Sequence, residues 1–571
     1  MNIYVNNKPV QAEKGETILA VLARENIKIP TLCFIEGLTP TGACRVCVVE
    51  LENESRLVPG CSFFVYEGMK VQTHSDKAIN ARKTIIELLL ASHPDDCLYC
   101  VRQGNCELSR LAVEYGIRKR NYKAEKQASS IDISSPSIIR DSGKCILCGK
   151  CVRICEEVQG VSVIDFSGRG SKTVISCAFN ENLNVSSCVN CGQCILACPT
   201  GALAEKSEGN DFIAALENPE MTVIVQHAPS ISVTIAEEFN MKPGLDINKS
   251  LNYALKKLGA DYVFETSFTA DLTIMEEAEE LVERIKNNER LPMLSSCSPG
   301  WIKFIEQYFP EYTENLSSCK SPQQMLGSII KNYFAPRNSI DPDKVFNVSI
   351  MPCTAKKFEA KRPELSYKGY PDIDLVLTTR ELAQLLKLYS ISLNPEDTAE
   401  PDNPFGSFSS AGKLFGVSGG VTEAALRHVY YLLTGKEFNT PVQSVRGLNG
   451  IKESTIDING TQIKTVTVSG LLNARKVLEE VKAGRKQVHF IEVMTCPGGC
   501  INGGGQPIGT DKESIKMRMQ KLYSIDKEKP LHFCHKNPDI IQLYNDFLEK
   551  PLGKKSHELL HTHYEKRKVT K

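Results

Sequence analysis

Apolar and polar positions alternate in short blocks near the start of the chain and collect into longer apolar runs further on. Ile3-Tyr-Val5, the turn Asn6-Asn7-Lys8 and the next short run predict a hairpin. Glu16 to Asn26 carries Ile18, Val21 and Leu22 at helical spacing, and Asp76 to Ser92 does the same with Ile79, Ile85, Ile86, Leu88 and Leu89. Residues 125–140 are polar and serine-rich and predict a linker. Beyond residue 211 the pattern becomes α/β. Thr222-Val-Ile-Val225 is a strand leading into Gln226-His227-Ala228-Pro229-Ser230, Ala270 to Asn287 is a helix rich in acids, and Leu414 to Gly420 feeds a helix starting near Thr422. Leu291 to Leu294, Lys344 to Met351 and Val488 to Met494 are strand-like runs, and each is followed closely by a cysteine: Cys297, Cys353 and Cys496. Open α/β sheets bind ligands at that carboxyl edge. The last of these runs enters Thr495-Cys-Pro-Gly-Gly-Cys500-Ile-Asn-Gly-Gly-Gly-Gln-Pro507, where five glycines let the backbone approach whatever two thiolates four residues apart hold.

Composition narrows the class. The 571 residues imply several domains, and 42% hydrophobic with 24% charged residues is ordinary globular composition. Lys+Arg equals Asp+Glu, so a general nucleic-acid binder is not expected. There is no apolar run of membrane-spanning length and no signal-peptide pattern at the start, which predicts a cytoplasmic protein with no membrane contact. Against that background 22 cysteines point to metal, because a reducing compartment does not sustain a disulfide framework.

The spacings say which metal centres. Cys33, Cys44, Cys47 and Cys61 run C-x10-C-x2-C-x13-C, four thiolates for one [2Fe–2S] cluster, with buried structural cysteines or zinc as the rival. His93-x3-Cys97-x2-Cys100-x5-Cys106 supplies three thiolates; the fourth ligand is His93, Cys177 or no protein group. Cys145, Cys148, Cys151 and Cys155 are then repeated as Cys188, Cys191, Cys194 and Cys198 with Pro199 after the second run. In this two-[4Fe–4S] pattern the fourth cysteine of each run serves the other cluster, giving Cys145, Cys148, Cys151, Cys198 and Cys188, Cys191, Cys194, Cys155. Cys177, Cys319 and Cys534 lie outside every run and are expected to be small buried hydrophobes. His557-Glu-Leu-Leu-His561 spells a zinc-protease motif without its continuation and predicts a surface helix. No G-x-G-x-x-G fingerprint appears, so an electron wire of four clusters leads to a metal cofactor held by the cysteine-lined cleft.

Ser295–Trp301, Met351–Lys357 and Met494–Pro507 resemble the three signature segments of the iron-only ([FeFe]) hydrogenases. The modules before them resemble the accessory clusters of the monomeric clostridial type, so the resemblance covers essentially the whole chain. It implies a multidomain α+β and α/β fold: a β-grasp ferredoxin-like [2Fe–2S] module (1–78), a His/Cys3 [4Fe–4S] module (79–125), a bacterial 2[4Fe–4S] ferredoxin module (126–209) and a two-lobed α/β catalytic domain (210–571). It makes His93 a cluster ligand. It implies an H-cluster, a [4Fe–4S] unit joined through one cysteine to a two-iron unit with CO, cyanide and a dithiolate, installed by maturation proteins. Cys353, Cys496 and Cys500 match the cubane ligands, with Cys500 bridging; Lys356, Pro229 and Ser230 match the groups that meet the cyanides; Gln323, Met351, Pro352, Phe415, Gly416 and Met494 match the walls. Cys297, Glu277, Ser317, Glu280 and Arg284 match the family's proton route, although charge pattern alone makes Glu277 and Glu280 an ordinary solvated face. The implied activity is ferredoxin-linked interconversion of H2 with protons and electrons by a monomer.

One position departs from the family. Two adjacent cysteines are expected and the pair here is Cys297-Ser298. Ser298 ligates as an alkoxide, or Cys297 ligates after a backbone shift, or three cysteines hold a labile cubane. The intact Pro-Gly-Trp that follows fixes the register and favours Ser298 as the ligand. The competing readings are a hydrogen sensor, an iron–sulfur scaffold or an impaired variant, and the catalytic subunit of a larger NAD-linked complex.

Overall fold

The computed structural model describes residues 1–52, 54–126, 129–438 and 440–569. Two compact units divide the chain. The first comprises residues 1–157, 162–186 and 197–204, the second residues 158–161, 187–196 and 205–571.

The first unit opens with the expected hairpin, β1 (Asn2–Val5) against β2 (Lys8–Gln11). With β3 (Val48–Leu51), β4 (Val58–Pro59) and β5 (Lys70–Gln72) it makes a five-stranded sheet in the order β2-β1-β5-β3-β4. The helix Ile18–Arg24, capped by Thr17, lays Ile18, Leu19, Val21 and Leu22 on that sheet. The helix Asp76–Ser92 has the expected bounds, but its buried face differs from the one its apolar residues suggest. Ile79 and Leu88 are exposed, while Arg82 is fully buried, donating from Nε to the Val48 carbonyl (3.0 Å) and from Nη2 to that of Thr73 (2.8 Å). Two sheet-edge carbonyls needed donors, and a guanidinium supplied them at the cost of displacing apolar side chains outward.

The segment expected to be a linker is structured. β6 (Ile131–Asp132) pairs with β7 (Ile138–Asp141), and Ser135 and Ser137 are buried between them. The serines turn the chain: Ser135 Oγ accepts from the amides of Ser137 and Ile138. Gln127 and Ala128 of the same segment lie outside the described residues. β8 (Ile164–Ser167) and β9 (Val174–Cys177) form a second hairpin, with Cys177 buried at its end, and β10 (Leu203–Glu205) borders β7.

The second unit has two sheets and is the two-lobed α/β body the sequence predicts. β11 (Thr222–His227), β12 (Tyr262–Glu265), β14 (Val345–Met351) and β17 (Leu375–Thr378) are all parallel, in the order β12-β11-β14-β17. β13 (Met293–Leu294), β20 (Phe490–Met494) and β19 (Thr461–Ser469) run parallel, with β18 (Ile451–Ile458) antiparallel at the edge. β15 (Ser366–Tyr367) and β16 (Tyr370–Pro371) form a small separate hairpin. The strand expected from Leu291 is only two residues long. β11 and β14 are buried along nearly their whole length because helices cover both faces of a parallel sheet. The first sheet is packed on one side by Leu251, Leu255 and Leu382 and on the other by Phe268, Leu326 and Ile329.

The acid-rich helix starts earlier than expected and spans Ser267–Asn287. Glu276 and Glu277 are buried on it, which corrects the reading of a solvated face. The segment 554–560 is helical, but it is no free surface helix. Leu559 and Leu560 enter the core, and His561 Nε2 meets Glu276 Oε2 at 3.1 Å.

Candidate active site

Four loops converge where the parallel strands end. β11 continues into Ala228-Pro229, β14 into Pro352-Cys353, β13 into Cys297-Ser298 and β20 into Thr495-Cys496. They surround a cavity of about 80 Å³. Cys297, Ser298, Cys353, Cys496 and Cys500 line it with Lys356, and the apolar walls come from Pro229, Met351, Pro352, Phe415, Gly416 and Met494. Gln323 also lines it. Its Nε2 donates to Glu359 (3.1 Å), and its buried Oε1 has no partner among the described residues. Ser230 is fully buried one residue behind the wall, its Oγ accepting from Gln506 Nε2 at 3.4 Å.

The chemistry of this lining suits a thiolate-held metal cluster. Cys500 is pushed up to about 12, and Cys353 and Cys496 are also raised, in each case first by burial. Neutral thiols in an apolar cavity ionise when a metal replaces the proton, so the site is a ligand set awaiting charge. Among the described residues that line the cavity, Lys356 is the one cation. Its Nζ donates to Glu359 Oε2 (2.8 Å) and the Cys297 carbonyl (3.2 Å), and Ser321 Oγ also donates to Glu359. Glu359 lies three residues on along the same helix and aims Lys356; that spacing was a readable signal which the sequence reading missed. Thr495 was missed as well: its Oγ1 is 2.8 Å from Ser298 Oγ, and its amide donates to the same oxygen at 3.3 Å.

Behind Cys297 lies a buried polar line. Burial, then the neighbouring Glu277 carboxyl, hold the Cys297 thiol well above its usual range. Burial first and Glu280 second raise Glu277 to about 8. Ser317 hydrogen-bonds Glu277 and donates to Glu280 Oε2 at 2.8 Å. Glu280 pairs with Arg284 Nη2 at 2.6 Å, and Arg284 also donates to the carbonyls of Asn315 (2.9 Å) and Leu316 (2.9 Å). Cys319 is fully buried beside this line, raised by burial and then by Glu280.

The remaining cysteine runs fall as follows. Cys33, Cys44, Cys47 and Cys61 are buried and their sulfurs hydrogen-bond one another. Sharing protons lowers Cys33 and Cys47 and raises Cys44 and Cys61. Cys145, Cys148, Cys151 and Cys198 line one small cavity, which brings the fourth cysteine of the second run beside the first three of the first. Burial raises Cys145 to about 11 and Cys148 to about 12. His93 is buried at the end of the Asp76–Ser92 helix with its Nδ1 unpartnered among the described residues, and burial lowers its imidazole, which favours the neutral form that metal binding requires. Cys97 is exposed, Cys100 and Cys106 partly buried. Cys155 belongs to the first unit, where its sulfur accepts from the Val163 amide at 3.4 Å.

Cys188, Cys191 and Cys194 belong to the second unit. Their loop packs directly on the active-site loop. Gln193 Nε2 donates to the Asn502 carbonyl (2.9 Å), Thr354 Oγ1 to that of Asn190 (2.7 Å), and Cys191 is close enough to Cys496 to raise it. Gly504 permits this approach: a Cβ there would stand 2.2 Å from the Cys191 carbonyl oxygen.

Accessory iron–sulfur domains ahead of a cysteine-lined catalytic cavity define an iron–sulfur redox enzyme, and sequence comparison names its kind. The profile "Iron only hydrogenase large subunit, C-terminal domain" matches residues 221–504 and "Iron hydrogenase small subunit" residues 512–567. A "2Fe-2S iron-sulfur cluster binding domain" matches 1–76, an "NADH-ubiquinone oxidoreductase-G iron-sulfur binding region" 82–121 and a "4Fe-4S dicluster domain" 144–202. The NADP-reducing hydrogenase subunit HndD of Solidesulfovibrio fructosivorans is 44% identical, covering 99% of each chain. Iron hydrogenase 1 of Clostridium pasteurianum is 39% identical over 99% of this chain and 100% of that one. A variant of the [FeFe]-hydrogenase HydA1 from Chlamydomonas reinhardtii superposes with a TM-score of 0.58 at 39% identity, covering 64% of this chain and 100% of that chain. This chain belongs to the iron-only ([FeFe]) hydrogenase family. Among the described residues no helix is long and apolar enough to cross a membrane.

Proposed function

We propose that the chain interconverts H2 with protons and electrons at the cavity between β11, β13, β14 and β20. The observation that carries this reading is the convergence of Cys353, Cys496 and Cys500 with Lys356 on one apolar cavity, backed by the buried line Cys297, Glu277, Ser317, Glu280 and Arg284. Cys353, Cys496 and Cys500, with Ser298 Oγ as the fourth donor, would hold the cubane of an H-cluster. Support for Ser298 comes from its place on the lining and from Thr495, whose hydroxyl and amide hydrogen-bond its oxygen and would stabilise an alkoxide. Lys356 and the Pro229-Ser230 turn would meet the cluster's cyanides. When bound, the cluster supplies the redox centre at which H2 forms or splits. Maturation proteins install the two-iron unit.

The chain's own residues handle protons and exclude water. Cys297 exchanges a proton with the cavity, Glu277 passes it to Ser317, and Glu280 delivers it towards Arg284. A carboxyl near pH 8 suits this work at neutral pH, because it carries a proton and still releases it readily. The apolar walls keep bulk water from the reacting centre. One [2Fe–2S] and three [4Fe–4S] accessory clusters would carry the electrons, with His93 completing the ligand set of Cys97, Cys100 and Cys106. The Cys191 and Cys496 loops touch, which suits a short final electron transfer into the cavity.

Two electron sources are open to such a chain. Ferredoxin delivers to it directly, or partner subunits deliver from a nicotinamide; the likeness to an NADP-reducing hydrogenase subunit over nearly its whole length favours examining the second. H2 evolution by the anaerobically matured chain separates them. Rapid evolution with reduced ferredoxin supports direct supply, whereas evolution with reduced viologen but none with ferredoxin supports partner subunits. No evolution with either donor contradicts the assignment as a hydrogenase.

A further inference from the structure

A second cluster of metal-binding side chains lies apart from every iron–sulfur motif. His428 sits on the helix Gly420–Thr434, and Cys534 and His535 are consecutive on the short turn Cys534–Lys536. One donor atom from each of the three lies within 4.8 Å of the others. His428 is 1% exposed and Cys534 2%. All four ring nitrogens of the two histidines are buried without a hydrogen-bond partner among the described residues. That is an unfavourable arrangement for two imidazoles, since each buried ring nitrogen is left without a partner. Ring stacking fixes His535: Tyr431 lies 3.8 Å away at 8°. Asp271, whose charge adds to burial in raising Cys534, is already committed, since its carboxylate accepts from the Ser409 amide (2.6 Å) and Asn537 Nδ2 (3.0 Å).

We propose that His428, Cys534 and His535 form a binding site for one borderline-soft divalent ion of the zinc class. Two nitrogens and a sulfur are the donors such an ion selects, and tetrahedral zinc spaces neighbouring donors roughly 3.3–3.6 Å apart. Closing to that spacing is a side-chain adjustment of about 1 Å. The imidazoles bind as the neutral bases that burial already makes them, His428 being lowered to about 3. The Cys534 thiol gives its proton to solvent as the Zn–S bond forms. Three protein donors leave one position of a tetrahedral ion for a water or other exogenous ligand. The ion would join two segments that the family profiles match separately, residues 221–504 and 512–567. It would therefore act as a clip holding the carboxyl-terminal segment to the catalytic body.

The test uses the full chain, purified anaerobically with its clusters, incubated with zinc and desalted. Mass spectrometry of metals is expected to find about one zinc per chain, falling below about 0.1 in Cys534→Ser and in His428→Gln while iron stays at the wild-type level. Zinc-edge absorption fine structure of the wild type is expected to show nitrogen near 2.0–2.1 Å and a single sulfur near 2.3 Å. This second readout decides the matter even where a variant loses iron through misfolding. Zinc absent from the wild type, zinc unchanged in both variants, or an all-sulfur shell from zinc misplaced in a cluster site would each overturn the proposal.

Discussion

Glu277 shows how far burial changes a residue's meaning. On the sequence it is one acid among many in a helix; in the fold it is 2% exposed and raised to about 8. The unfolded chain ionises such a group near 4.5. Its contribution to stability is therefore fully present below pH 4.5 and is lost as pH rises through about 8. Glu277→Gln keeps the shape and removes the titration. Anaerobic urea midpoints should favour the variant over the wild type more at pH 9 than at pH 6. As the loss of a proton relay, the same change should cut H2 evolution by about 10²–10⁴-fold with iron content unchanged. Equal activity of the variant and the wild type would remove Glu277 from the route. The cysteine runs were legible because most of their members stand only two or three residues apart, a local pattern. Ser317 and Arg284 were legible only through the family resemblance, since nothing local marks their link to Glu280.

At the scale of elements, periodicity located the helix Asp76–Ser92 and the strands feeding the site, because those patterns are local. It did not find which face Arg82 would take, nor that the serine-rich stretch around residue 131 pairs into a sheet. Both outcomes depend on partners supplied by other elements. The carboxyl-terminal helix is the clearest case. Glu276 accepts from Tyr544 (2.5 Å), Ser556 (2.6 Å) and the Leu552 amide (2.8 Å) as well as meeting His561, all more than 260 residues away. Burial alone would raise Glu276, yet the bonds led by His561 outweigh it and leave the carboxyl lowered. Its contribution is present above pH 4.5 and is lost as pH falls through its depressed value. Glu276→Ala should cost about 3 kcal/mol by orphaning those donors and should expose residues 544–561 to limited proteolysis. Protection unchanged from the wild type would show that the tail is held by its apolar contacts instead. Gly504→Ala should lose about 1–3 kcal/mol or more, read as an anaerobic urea midpoint, because its Cβ has no room against the Cys191 carbonyl.

For the whole molecule, the accessory clusters matter as wiring, and this separates them from the catalytic cavity experimentally. Replacing Cys47 by Ser removes one thiolate of the buried amino-terminal four and should disable that cluster. H2 evolution driven by a small dye that reaches inner clusters should stay within about twofold of the wild type, while evolution driven by the protein donor should fall by about tenfold or more. Equal losses with both donors would mean that the amino-terminal cluster supports the fold and is not the entry point.

The central claim is that the cavity holds an H-cluster with serine at the fourth cubane position. Its most direct test is the infrared spectrum of the anaerobically matured protein in the carbonyl and cyanide stretching region. Sharp bands from terminal and bridging carbonyls and from cyanides, shifting in Ser298→Cys, are the result this account predicts. A protein that carries its accessory-cluster iron but shows no such bands, and gains them only in Ser298→Cys, would contradict it: the chain would then conduct electrons to a cavity without a catalyst.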